Sequence, residues 1–166
     1  MAKVTATNLP SESSSEQFIT SVDFLDAYKV KLNDTGQSVE DVYLAIFNHA
    51  PKWVSLLMGI RNKLVSLFGL DTGGNSKQEE IKALKIGEKH GVFRIIDIQS
   101  NEVIAGEDDS HLDFRVSVFK LNDYLVLSTL VHYNSNFGKL YFFIVKPFHK
   151  LVVKGMMKNA SKNKRI

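Results

Sequence analysis

One stretch near the C-terminus limits what this chain can fold into. From Phe137 to Met156, apolar residues recur at helical spacing (Phe137, Leu140, Tyr141, Ile144, Val145, Phe148, Leu151, Val152, Met156), which predicts a helix with one broad greasy face. A face of that length needs a large partner surface. Lys146, Lys150, Lys154, Lys158 and Lys162 step four at a time through the same segment and form a stripe predicted to point away from the apolar residues. Pro147 removes one backbone donor and crowds the preceding turn, so a kink is expected over residues 143–147.

The partner surface is written just upstream. Residues 111–121 and 124–133 are rich in β-branched and aromatic side chains, and Asn122-Asp123 between them has the chemistry of a tight hairpin turn. A hairpin with a helix laid across it is the simplest arrangement. Before it come further short segments at residues 81–88, 92–99 and 102–106, too closely spaced for parallel crossovers and therefore antiparallel.

Residues 18–32 read as a first strand in which Val22, Phe24, Tyr28, Val30 and Leu32 share a parity, ended by the turn signal Asn33-Asp34-Thr35-Gly36. Ser38 followed by Asp41 caps a short first helix that Pro51 halts. Pro51 suits the first turn of a second helix, whose face is marked by Trp53, Leu56, Leu57, Ile60, Leu64, Leu67 and Phe68. Residues 71–76 are a connector. The expected class is α+β: a first strand, two short helices, about five strands and a long helix gripped by an antiparallel sheet.

With 44% apolar residues in 166, the chain suits a single core at residues 18–163, preceded by a loosely ordered arm at residues 1–17. It has no cysteine, which removes disulfides, thiolate metal sites and cysteine nucleophiles. The arm lacks the apolar core of a signal peptide and no apolar run reaches spanning length, so a soluble, cytoplasmic protein is expected. All 18 carboxylates and 13 of the 21 Lys and Arg residues lie in residues 1–123, a net of −5; the remainder holds only cations. Such a basic helix could approach an anionic membrane, although a solvated face is the commoner meaning. Few aromatics interleave with the lysines, so no nucleic-acid partner is expected.

The candidate site residues follow from alternation. His111, Asp113, Arg115 and Ser117 share one face of a strand, and Leu112, Phe114, Val116 and Val118 the other. Turned inward, the polar face would bring an acid–base imidazole beside a charge pair able to hold a ligand carboxylate. Turned outward, it is a face of cross-strand ion pairs. Asp108, Asp109, His111 and Asp113 also form a weak oxygen-and-imidazole pattern, insufficient for an expected metal. His132 and His149 lie on opposite candidate walls. Arg61, Thr129, Tyr141 and Phe148 complete the ligand-binding candidates. No nucleophile elbow, catalytic triad or dinucleotide fingerprint appears.

Leu9-Pro10, the region 23–28, Arg61-Asn62-Lys63-Leu64, Gly69-Leu70, Asp108 to Arg115, Ser128-Thr129-Leu130-Val131, Asn134, Gly138, Tyr141 and Pro147-Phe148-His149 carry a resemblance over nearly the whole chain. It is to the uncharacterised family known as domain of unknown function 2867. The element order is also similar to the helix-grip fold of START-like lipid-transfer proteins, birch-pollen-allergen-like proteins and polyketide cyclases. The resemblance implies a hydrophobic cavity between sheet and helix that binds a small apolar molecule, with no cofactor. An enzyme of cyclase, dehydratase or isomerase type, and an interaction or peripheral membrane protein acting through the basic helix, are the alternatives. Ligand identity and oligomeric state do not follow.

Overall fold

The computed structural model describes residues 3–66 and 82–166; the expectations for Leu67, Phe68 and the 71–76 connector lie outside them. In chain order the elements are β1 (Thr5–Thr7), a 3-10 turn (Ser15–Phe18), β2 (Phe24–Lys31), α1 (Val39–Phe47), α2 (Lys52–Ser66), β3 (Lys89–His90), β4 (Phe93–Ile98), β5 (Glu102–Asp108), β6 (Leu112–Leu121), β7 (Tyr124–Tyr133) and α3 (Asn136–Lys162). The strands form one antiparallel sheet in the order β1-β2-β7-β6-β5-β4-β3, with α3 across it as the grip arrangement requires.

The local signals behave as their chemistry dictates. Asn122 adopts a positive φ of 52° in the two-residue β6–β7 turn, which asparagine tolerates better than most side chains. Ser38 caps α1 by accepting from the Asp41 amide at 3.1 Å. The first strand begins later than its pattern predicts, because residues 15–18 wind into the 3-10 turn before the chain extends. Residues 82–88 form no strand; only Lys89–His90 pairs with β4, since positive φ at Gly87 and Gly91 turns the chain on either side.

Between sheet and helices the core is filled by Tyr28, Val30, Val116, Val118, Leu125 and Leu127 from the strands, Val42, Tyr43 and Ile46 from α1, and Val153, Met156, Met157 and Ala160 from α3. Each large apolar side chain fully buried there contributes about 1.5–3 kcal/mol. Burial pushes the Tyr43 hydroxyl well above the ordinary phenol range, so it stays neutral.

The faces of the two longer helices correct the sequence reading. On α3, Met156 is buried, but Phe137, Leu140, Ile144, Phe148 and Leu151 are exposed, and Gly138, Phe142, Val153, Met157 and Ala160 meet the sheet instead. The helix is apolar on two sides. Small residues decide between them: a Cβ on Gly138 would collide with the backbone carbonyl of His111, so only glycine lets the helix start so close to β6. The lysine stripe is not wholly turned to water either. Lys146 lies 4.8 Å from the centre of the Phe24 ring and Lys154 4.9 Å from that of Tyr28, with their stems along the sheet–helix seam. On α2, Val54 is buried while Trp53, Leu56 and Ile60 are exposed, and Trp53 lies against Gly155 of α3. α3 runs unbroken through Pro147.

At the far end of the sheet, His90 Nε2 is 2.8 Å from Asn48 Oδ1, and burial lowers its affinity for a proton. Its folded pKa therefore lies below the unfolded value of 6.5. Stability from this group is full above that value and falls as pH drops through it toward the folded pKa, with a slope of at most about 1.4 kcal/mol per pH unit. Denaturant unfolding at successive pH values should show that decline in the native chain and a shallower one in His90→Gln. Equal slopes would mean that His90 is not the group taking up the proton.

Candidate functional site

The sheet has two differently used faces. On the outer face, the N-terminal arm covers β5 and β6: Glu102 is 0% exposed and accepts hydrogen bonds from the Ser13 hydroxyl at 2.5 Å, the Ser14 amide at 2.9 Å and the Ser117 hydroxyl at 2.5 Å. Arg115 is buried beside it, donating to Phe18 O at 2.7 Å and pairing with Asp108 at 2.6 Å. These groups hold the arm down. They are satisfied by the protein itself and unavailable to a ligand.

On the inner face, the parity of β2 that carries Phe24, Tyr28 and Val30 is interrupted by Asp26, directly opposite Thr129 of β7. Asp26 Oδ1 lies 3.2 Å from His149 Nε2 on α3, and its other oxygen accepts from the Tyr28 hydroxyl at 3.2 Å. Burial first, and the Asp26 charge second, push the Tyr28 pKa up to about 12, so the phenol remains a donor. Thr129 Oγ1 is buried without a hydrogen-bond partner among the described residues. Four polar side chains thus meet under α3, with the Lys154 ammonium over the Tyr28 ring and that of Lys146 over Phe24.

Phe24 and Phe142 form the outer wall of this cluster, with ring centroids 4.8 Å apart and the Phe142 ring 6.3 Å from that of His149. Beyond Phe142 opens a groove of about 440 Å³ lined by Tyr133, Asn136, Lys139, Leu140, Phe142, Phe143 and Lys146. It runs along the N-terminal half of α3. Its walls are aromatic and aliphatic, its polar side chains are the Asn136 amide, the Tyr133 phenol and the Lys139 and Lys146 ammoniums, and no carboxylate lines it. Volume and lining suit a small amphiphile.

The residues singled out in the sequence are dispersed by this geometry. His111 is buried against Tyr141, with ring centroids 5.3 Å apart, and its Nδ1 stands 3.1 Å from Asp109 Oδ1 at an angle poor for a hydrogen bond. Asp113 accepts from Asn134 at 2.7 Å and from the Asp109 amide at 3.2 Å, latching the β5–β6 turn to the start of α3. His132 points to the outer side, where its Nδ1 is 2.9 Å from Asp23 and 2.8 Å from the Ser21 hydroxyl. The Tyr133 amide, above all, keeps the Asp23 carboxyl below its usual range, with His132 assisting. His132 and His149 therefore lie on opposite sides of the sheet and do not converge. Phe148 projects outward from α3, Thr129 belongs to the inner cluster, and the Arg61 side chain lies outside the described residues. Asp109, His111 and Asp113 are neighbours while Asp108 turns to Arg115, and no group able to hold a metal ion occurs among the described residues.

Asp26 and Tyr28 escaped the sequence reading, although a carboxylate on the buried parity of β2 was the available signal. His149 was visible as a histidine but its partner is 123 residues away.

Sheet, helix and groove together define an α+β domain of helix-grip-like architecture with a polar cluster beneath its long helix. The chain belongs to the family described as Protein of unknown function (DUF2867), whose model matches residues 18–156. Neither a curated protein nor a solved structure matches it significantly. No helix among the described residues is long and apolar enough to cross a membrane.

Proposed function

We propose that this is a START-like domain that binds a small amphiphile, its apolar body along Tyr133, Leu140, Phe142 and Phe143 and its anionic end at Lys139 and Lys146. The observation that carries the reading is the groove, where the Lys139 and Lys146 ammoniums border an aromatic wall with no carboxylate in its lining, the Asp23 carboxylate feeling the Lys139 charge from outside it. The ligand lies at the mouth between β7 and α3, because farther along the helix the space is occupied by Val153, Met156 and Met157. A fluorescent long-chain carboxylate should bind saturably to the native chain. In Lys139→Glu/Lys146→Glu the affinity should fall about tenfold or more, since one charge-assisted contact is worth about 1.5–3 kcal/mol. No saturable binding, or equal binding by the double variant, would remove the proposal.

The Asp26–His149 pair supports a second reading, an acid–base enzyme of isomerase or dehydratase type. In it, His149 moves a proton on a ligand lodged behind Phe142, and Asp26 orients the imidazole. His149→Gln would then retain the carboxylate probe but lose turnover; loss of both would leave His149 a packing residue.

A further inference from the structure

The outward face of α3 is the least expected surface of the molecule. Phe137, Leu140, Ile144, Phe148 and Leu151 follow one another along it, with Phe143 beside them at 75% exposed, so an apolar ridge about 21 Å long faces away from the sheet. Isolated exposed leucines need no explanation, but a ridge of aromatic and branched residues does. Lys139 and Lys150 lie to one side of it and Lys158 follows at its end, while Lys146 and Lys154 are held in the seam, and there is no Asp or Glu anywhere on the helix.

We propose that this ridge docks the domain flat on an anionic bilayer. A helix with an apolar face and flanking lysines settles in the interfacial plane, with its apolar side chains at the boundary between headgroups and acyl chains and its ammoniums at the lipid phosphates. Charge decides the occupant. A second copy joined through the same face would bring two all-cationic helices together with no carboxylate between them, which opposes self-association. Shape agrees: the ridge is convex, which a fluid interface accommodates, whereas a partner protein would need a complementary groove lined with acids. Leu140 and Phe143 border the groove as well, but Phe137, Ile144, Phe148, Leu151 and Lys150 lie outside it, and the docking is tested on these.

Trp53, the single tryptophan, lies against Gly155 at the C-terminal end of the ridge and reports the event directly. Vesicles of equal parts phosphatidylcholine and phosphatidylglycerol should shift its emission to the blue and carry the full-length chain down on centrifugation. Vesicles of phosphatidylcholine alone should do neither, and high salt should reverse the binding. Ile144→Ser/Phe148→Ser/Leu151→Ser should stay folded with a modestly lowered unfolding midpoint yet lose at least about tenfold in partitioning, because each removed side chain is at least half exposed in the free protein. Lys150→Gln, outside the groove, should weaken binding about fivefold. Absence of binding to the anionic vesicles, or binding indifferent to lipid charge, overturns the proposal. So does a native dimer in sedimentation analysis that the triple variant disperses, which would give the face to a second copy.

Discussion

Replacing Gly138 by alanine is expected to destabilise the domain by roughly 3–5 kcal/mol, a loss of about 10 °C or more in the unfolding midpoint. The added methyl falls on the carbonyl oxygen and carbon of His111, which are backbone atoms at the start of β6 and cannot swing aside like a side chain. Relief requires α3 to lift from the sheet at its first turn. That movement separates Phe142 from Phe24 and opens the wall of the groove, so carboxylate binding should weaken together with stability. Gly59→Ala is the control: nothing lies within 4 Å of its added methyl, and it should stabilise α2 by about 0.5–1 kcal/mol. A midpoint for Gly138→Ala close to that of the native chain would show that α3 does not start so near β6.

Replacing Glu102 by alanine should be comparably severe, at roughly 3–4 kcal/mol. The carboxylate is fully buried, and without it the hydroxyls of Ser13 and Ser117 and the Ser14 amide lose their common acceptor beneath the arm. The consequence is local as well as global. With its anchor gone, the segment around residues 8–20 should be cut by proteases well before the sheet unfolds, a distinction that limited proteolysis followed by mass measurement reads directly. Glu102→Gln retains the shape and one oxygen acceptor, so it should fall between the two. Native-like protease resistance in Glu102→Ala would detach the arm's order from this carboxylate.

Much of the architecture was legible because it rests on local chemistry. The β6–β7 hairpin follows from alternation and an asparagine able to take a positive φ, and α1 from its serine cap. The candidate site was far less legible. Asp26 and His149 come together across 123 residues, and Glu102 meets Ser13 across 89, distances over which periodicity says nothing. Alternation puts Arg115 and Ser117 on the face of β6 that the arm covers, but His111 precedes the strand and turns to Tyr141 of α3, and the covering segment's own composition shows no core-forming pattern.

What the sequence by itself determined was the order of elements from β2 to α3 apart from the short β3, the antiparallel pairing and the family, since these depend on alternation, turn residues and motifs carried by short stretches. Only the tertiary structure decided how α3 is rotated. Its hydrophobic pattern supports burial of either side, and the choice was made by close approach: Gly138 on His111, with Phe142, Val153, Met157 and Ala160 turned to the sheet. That rotation leaves Ile144, Phe148 and Leu151 facing outward and draws Lys146 and Lys154 into the seam, and no property of the helix alone specifies it.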